Sequence, residues 1–170
     1  MRYFFILIFF LTAVNMFAQG KFKKIIDERN GKEMLVGVCS REVLQTDTSF
    51  SKWFKEEFDL YVPMIENKSR LKEKFASVYV TIVMGTWCPD SRMQVPQFYK
   101  ILDELQFPDE RIKLICVDRK MKTPNNETDE LDIKRVPTFI FYDANKNELG
   151  RIIEFPEETL EIDSEKILGK

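Results

Sequence analysis

Apolar positions along the chain predict a strand, a helix and a second strand in its centre. Residues 78–84, VYVTIVM, are nearly all apolar or β-branched, and residues 112–117, IKLICV, repeat that pattern. Such runs are typical of strands buried on both faces of a mostly parallel sheet. Between them, apolar residues recur at three- and four-residue steps on one face of a predicted helix that runs to about residue 106: Val95, Phe98, Leu102 and Leu105.

The segments after residue 117 predict a polar crossover and a terminal hairpin. Residues 119–134 are polar and leave room for only a short helix, and the basic stretch at 119–122 is interpreted as a solvated loop. The run FIFY at 139–142 and the strand at 149–154 are separated by a polar turn. Residues 157–168 predict a closing helix.

The region before residue 75 predicts an extension of that core. Residues 21–38 form two short apolar runs around Asn30-Gly31, a pair that suits a hairpin turn. Aromatic residues recur with helical spacing from Phe50 to Tyr61, and Pro63 follows. We interpret this stripe as facing the core, with a ligand groove as the alternative.

The first eighteen residues predict export. They carry one charge, an apolar stretch and a small residue at Ala18, which is the pattern of a signal peptide. A membrane anchor is the alternative, but the stretch is shorter than the about 20 residues that a spanning helix needs. We therefore expect a signal peptide at 1–18, an N-terminal extension at 19–74 and a domain at 75–170, the last two forming one globular unit. We expect the protein in the periplasm or cell envelope if it is bacterial, with no stable membrane insertion after cleavage.

Composition removes several classes of function. The chain has no histidine, which excludes histidine-dependent catalytic triads and leaves three cysteines too few for a structural zinc site. No motif implies a metal or an organic cofactor. The net charge of −2 gives no reason to expect nucleic acid as a partner. An odd cysteine count in an exported protein leaves at least one thiol free or reactive.

Cys88 has the sequence context of a reactive thiol. It follows the first predicted strand and precedes Pro89, a residue suited to the first position of a helix. Helix starts favour the thiolate, which is the nucleophilic form of cysteine. We also expect this thiol to be exposed. Asp90 in the same turn opposes a thiolate, whereas Arg92 favours it. The alternative, a cysteine that only fills the core, is the interpretation we give to Cys116 inside its apolar strand.

The segment Trp87-Cys88-Pro89-Asp90-Ser91 resembles the thioredoxin-family motif W-C-x-x-C with serine in the last position. Pro96 matches the proline of the family's active-site helix, and Val136-Pro137-Thr138 resembles its cis-proline segment. The resemblance spans about residues 75–168 and implies an α/β thioredoxin-like fold: a central mixed sheet flanked by helices, here with an N-terminal hairpin-plus-helix extension. It also implies that Cys88 attacks a disulfide, that Pro137 and Thr138 position the substrate, and that Trp87 shields the site.

Two departures from the family pattern change the expected chemistry. Ser91 replaces the resolving cysteine, and Ile82 occupies a position where many thioredoxins have a buried acid. A single cysteine needs a second thiol to release a mixed disulfide. We expect that thiol from outside, and a resolving role for Cys39 stays open. Ser91 can still donate a hydrogen bond to the thiolate.

Three functions are compatible with this pattern. The first is a monothiol thiol-disulfide oxidoreductase or isomerase that acts on exported proteins or small thiols bearing disulfides. The second is a non-catalytic module that binds extended or cysteine-containing partners. The third, a thiol peroxidase, needs a sulfenic acid at Cys88 and a thiol to resolve it.

Overall fold

The computed structural model describes residues 22–169, so the predicted signal peptide lies outside the described residues. The strands are β1 Phe22–Ile26, β2 Glu33–Cys39, β3 Tyr79–Met84, β4 Ile112–Cys116, β5 Thr138–Tyr142 and β6 Glu148–Ile153. The helices are α1 Arg41–Thr46, α2 Ser51–Leu60, α3 Lys68–Phe75, α4 Pro89–Glu104 and α5 Leu160–Ile167. The strands form one six-stranded mixed sheet in the order β1-β2-β4-β3-β5-β6.

β3 lies in the interior of the sheet because its residues are apolar on both faces. It pairs in parallel with β4, where Val83 lies opposite Ile115, and antiparallel with β5, where Ile82 lies opposite Phe139. Ile82 is fully buried, so the position of the family's buried acid is part of the apolar core here. This mixed sheet, flanked by helices, confirms the predicted thioredoxin-like fold class.

The predicted N-terminal hairpin is confirmed, and it joins the same sheet. β1 and β2 pair antiparallel, and Gly31 in the turn between them has a φ of 70°, which glycine adopts without strain. β2 then pairs antiparallel with β4, so that Gly37 lies opposite Cys116. The hairpin therefore extends the sheet past β4 on the side away from β3.

The helices agree with the predicted pattern in part. α2, α4 and α5 lie within predicted helices, whereas α1 and α3 had no prediction. α3 begins after Asn67, whose side chain accepts a hydrogen bond from the Arg70 amide at 2.9 Å and so caps the helix. No regular helix forms within residues 119–134, where the chain makes a series of turns instead.

Two apolar clusters share the core. The larger one collects buried residues from all five helices, and the aromatic residues Phe50, Trp53 and Phe54 belong to it, which confirms a core-facing stripe. The smaller cluster contains Cys88, and the turns before β5 pack against it. The reactive-thiol candidate therefore lies under a loop segment rather than under a helix.

Candidate active site

The turn between β3 and α4 places Cys88 at the start of a sixteen-residue helix. Cys88 is the N-cap residue with extended backbone angles, and Pro89 occupies the first helical turn. Its amide donates to the Gly85 carbonyl at 2.9 Å, and its own carbonyl accepts from the Arg92 amide at 3.0 Å. The first-turn amides of α4, together with the helix dipole, favour negative charge at this end of the helix.

The Cys88 sulfur is more enclosed than the sequence predicted. Only 7% of the residue is exposed, which corrects our expectation of an exposed thiol. Its Sγ donates to the Val136 carbonyl at 3.4 Å and lies 4.0 Å from Oδ2 of Asp90. The enclosure arises because Val136, Ile133 and Leu131 from the loop before β5 pack into the same cluster as the thiol.

The Val136-Pro137 peptide bond is cis, as predicted, and faces Cys88 through the Val136 carbonyl. The Pro137 carbonyl accepts from the Glu154 amide at 2.7 Å. Thr138, the first residue of β5, is buried and donates from Oγ1 to the Arg135 carbonyl at 2.7 Å. The segment proposed to position substrate is thus fixed from both sides and brought against the sulfur.

Trp87 closes one side of the turn. Its indole Nε1 donates to the Val117 carbonyl at 2.9 Å, just past the end of β4. The ring lies against Gly85, where a Cβ atom would come within 2.6 Å of Cε2 of Trp87. Only glycine leaves room for the indole in this position.

Ser91 lies beneath the turn, fully buried. Its Oγ accepts a hydrogen bond from the Gly85 amide at 3.2 Å, so the hydroxyl holds the turn in place. Among the described residues its hydroxyl donates no hydrogen bond to the Cys88 sulfur. Asp90 is close to the sulfur, whereas Pro89 is exposed.

Arg92 contacts the aromatic stripe of α2. Its guanidinium lies 5.3 Å from the centre of the Trp53 ring, and it forms no hydrogen bond with the Cys88 sulfur among the described residues. The guanidinium of Arg119 does adjoin the active-site turn, 4.6 Å from the centre of the Trp87 ring. Arg92 thus belongs to the groove between α2 and α4 rather than to the thiol.

Sequence reasoning missed an ion pair that adjoins the turn. Arg119 donates from Nε and Nη2 to the two carboxylate oxygens of Asp27, both at 2.8 Å. These hydrogen bonds lower the pKa of Asp27, which is 1% exposed. They also raise the pKa of Arg119, and the negative charge of a Cys88 thiolate raises the pKa of Arg119 further, by a smaller amount. Asp27 belonged to the first predicted strand of the hairpin, and the basic stretch at 119–122 was interpreted as a solvated loop, so neither segment indicated an ion pair.

Cys39 and Cys116 lie together on the other side of the sheet from Cys88. Both are buried in the larger cluster, whereas Cys88 belongs to the smaller one. Successive side chains of a strand point to opposite faces of the sheet, so Cys116 lies on one face and its neighbour Ile115, which packs in the same cluster as Cys88, lies on the other. The contact with Cys39, together with burial, raises the pKa of the Cys116 thiol well above its ordinary value. The sheet therefore separates Cys39 from Cys88, and the geometry gives the resolving role that we left open for Cys39 no direct path.

Residues 22–169 contain no group of three or more cysteine and acidic side chains arranged to hold a metal ion. Within the same range, no helix has both the length and the apolar character needed to cross a membrane.

A cysteine that caps a helix after a central strand, opposite a cis-proline, defines a protein of the thioredoxin fold. Residues 45–166 match the family model described as thioredoxin. The chain therefore belongs to the thioredoxin family, a family of thiol-disulfide oxidoreductases. The match begins within the segment that the sequence assigned to the N-terminal extension.

Solved structures with a similar fold are distant in sequence. A Pseudomonas aeruginosa protein of unknown function is 16% identical with a TM-score of 0.43, over 70% of this chain and 79% of that chain. Fasciola hepatica thioredoxin is 19% identical with a TM-score of 0.35, over 51% and 76% of the two chains. Chlamydomonas reinhardtii thioredoxin f2 is 21% identical with a TM-score of 0.34, over 45% and 66%. No curated protein sequence matches the chain significantly.

Proposed function

We propose that this protein exchanges thiols and disulfides through one nucleophilic cysteine, Cys88. The observation that carries the proposal is the position of its sulfur, at the start of α4 and 3.4 Å from the carbonyl that precedes the cis-proline. The Cys88 thiolate attacks one sulfur of a substrate disulfide. The Cys88–substrate disulfide forms as the substrate S–S bond breaks, and the second substrate sulfur leaves as a thiolate.

The absence of a second thiol at the site determines how the cycle ends. Ser91 occupies the place of the family's resolving cysteine, and Cys39 and Cys116 are on the opposite face of the sheet. An outside thiolate therefore attacks the mixed disulfide and returns Cys88 as a thiolate. If a different thiolate of the same substrate attacks the substrate sulfur of the mixed disulfide, a new substrate disulfide forms, Cys88 leaves as a thiolate and the substrate is isomerised. If a small thiol attacks the Cys88 sulfur instead, the substrate leaves as a thiol, and a second small thiol then releases Cys88, so that the substrate is reduced and the two small thiols leave as a disulfide.

The compartment and the partners are part of the same proposal. The sequence of residues 1–18 supports export, and disulfides persist in the periplasm, at the cell surface and outside the cell. The substrates we propose are exported proteins, or small thiols, that carry disulfides. The protein would then belong to the exported monothiol members of its family.

A non-catalytic role has one observation in its favour. Cys88 is 7% exposed and has no neighbouring thiol among the described residues, so a mixed disulfide formed there is shielded from small thiols. A slow release would make the protein a trap for cysteine-containing partners rather than a catalyst.

Turnover separates the two roles. The purified protein is incubated with a scrambled or disulfide-bonded substrate protein and a small dithiol, and the recovery of native substrate is followed. Catalysis predicts recovery beyond one substrate per protein molecule and its loss in Cys88→Ser, with Cys39→Ser as the matched control that retains it. A mixed disulfide that accumulates to one substrate per molecule without recovery of native substrate would establish the trap. Recovery equal to that with Cys88→Ser, with no mixed disulfide formed, would exclude both roles.

A further inference from the structure

A cavity of about 320 Å³ lies beside the active-site turn, between the N-terminal hairpin, α2 and α4. Two of its walls come from Thr86 and Trp87, the residues immediately before Cys88. Trp53 and Phe50 supply an aromatic wall on the α2 side, and the turn of the hairpin supplies the opposite rim. The volume lies within the range of sites that bind small ligands, and an amino-acid residue with its flanking backbone fits it.

Two cations at this cavity have no acidic partner among the described residues. Arg92 stacks on Trp53, and Lys32 stands on the hairpin rim; neither forms an ion pair within residues 22–169. The start of α4, which favours negative charge, lies at the same place. The cavity therefore presents unpaired positive charge beside an aromatic wall.

Each acidic residue of the cavity has a cationic partner. Both carboxylate oxygens of Asp27 are bound by Arg119. Glu33 accepts from Lys24, at 2.7 Å, and from the Ser49 hydroxyl at 2.5 Å. Lys24 is shared with Asp47, which leaves one excess negative charge on that side, and the two unpaired cations outweigh it.

We propose that this cavity is a specificity subsite that binds an acidic residue of the polypeptide substrate, close in sequence to the cysteine that Cys88 attacks. The inference rests on the proposed function. An extended chain advances about 3.3 Å per residue, so a side chain two or three positions from the substrate cysteine reaches past Trp87 into the cavity. A carboxylate there pairs with Arg92 and Lys32, while its aliphatic part packs on Trp53. The partner is an extended segment because the cavity exceeds what one small carboxylic acid fills.

The test uses three peptides that differ at one position, two residues before a cysteine blocked as a 2-thiopyridyl disulfide. That position holds Glu, Gln or Lys. Attack by Cys88 forms the peptide mixed disulfide and releases thiopyridone, whose absorbance gives the rate constant. We expect the Glu peptide to react about fivefold faster than the Gln peptide, as two partly exposed ion pairs allow, and the Lys peptide to react slowest.

Substitution of the two cations tests the assignment. In Lys32→Gln/Arg92→Gln the ratio of the Glu and Gln rate constants falls to about one, whereas in the matched surface control Lys146→Gln it is retained. In the unaltered protein, high salt reduces the same ratio, a measurement independent of whether the double variant folds. The subsite is overturned if the double variant keeps the same ratio as the unaltered protein. It is also overturned if the unaltered protein shows no preference for the Glu peptide.

Two further arms separate this inference from the proposed function. The pyridyl disulfide of 3-mercaptopropionic acid supplies a carboxylate without a polypeptide. A larger rate constant for this compound than for the Glu peptide would overturn the polypeptide assignment. If no peptide reacts, the proposed function fails. The cavity is then tested by non-covalent binding. The Glu peptide carries serine in place of its cysteine, the protein carries Cys88→Ser, and tryptophan fluorescence reports the binding. Binding that is lost in the Lys32→Gln/Arg92→Gln background supports the subsite, and its absence overturns it.

Discussion

Substitution of Gly85 tests how the active-site turn is held. An alanine Cβ at this position would come within 2.6, 2.8 and 2.9 Å of Cε2, Nε1 and Cζ2 of Trp87, all closer than van der Waals contact allows. The backbone of β3 and the bond to Ser91 fix Gly85, so the indole has to move. Movement of the indole breaks its hydrogen bond to the Val117 carbonyl.

The expected cost follows from these two effects. Overpacking of this kind costs about 1–3 kcal/mol, and the lost hydrogen bond adds about 1 kcal/mol. Gly85→Ala should therefore lower the free energy of unfolding by about 2–4 kcal/mol, a large part of the stability of a typical domain. Urea denaturation followed by circular dichroism measures this cost independently of the tryptophan signal.

A double-mutant cycle shows whether the clash is the cause. In Trp87→Leu, which lacks the indole, Gly85→Ala should cost less than about 1 kcal/mol, because alanine then also reduces the entropy of the unfolded chain. The same cost in both backgrounds would refute the reasoning and place the effect in the backbone of the turn. A cost below about 0.5 kcal/mol in the unaltered background would show that the indole moves freely.

Two other predictions follow from the site. Ser91→Cys should shorten the life of a mixed disulfide at Cys88 by at least about tenfold, because a positioned thiol has a high effective concentration; this is measured by the release of a loaded partner after excess thiol is removed, and an unchanged release rate would contradict it. Arg119 lowers the pKa of Asp27, so the folded state gains stability from the carboxylate above the ordinary pKa of about 4 and loses it as pH falls toward the lower folded value. The stability difference between the unaltered protein and Asp27→Asn should therefore shrink between pH 5 and about 2, and a difference that does not change with pH would refute the role of the pair.

Local patterns were sufficient for the parts of the fold with strong periodicity. Sequence patterns predicted β3 and β4 from their apolar runs, the hairpin from Asn30-Gly31 and α4 from its apolar face. The position of Trp87-Cys88-Pro89 between β3 and α4 follows from these predictions. α1 buries only Leu44, so its six residues have no helical period to recognise. α3 is highly charged and buries only Leu71 and Phe75, and its clearest signal is the capping Asn67.

Long-range contacts account for what the sequence did not predict at the site. Asp27 and Arg119 are 92 residues apart in the chain, and they meet only because the N-terminal hairpin pairs with β4. The enclosure of Cys88 likewise depends on how the loop before β5 folds over it, and that loop has no regular period. Local propensity carries no information about either contact.

The central claim, that Cys88 is the reactive thiol, is tested most directly by alkylation of the folded, reduced protein. A small alkylating reagent is added over a range of pH, and mass mapping gives the rate at each cysteine. We expect Cys88 to react first at every pH, because it alone caps a helix start that favours the thiolate, whereas Cys39 and Cys116 are buried in the larger core cluster on the other face of the sheet. Label that appears first on Cys39 or Cys116 under native conditions would contradict it.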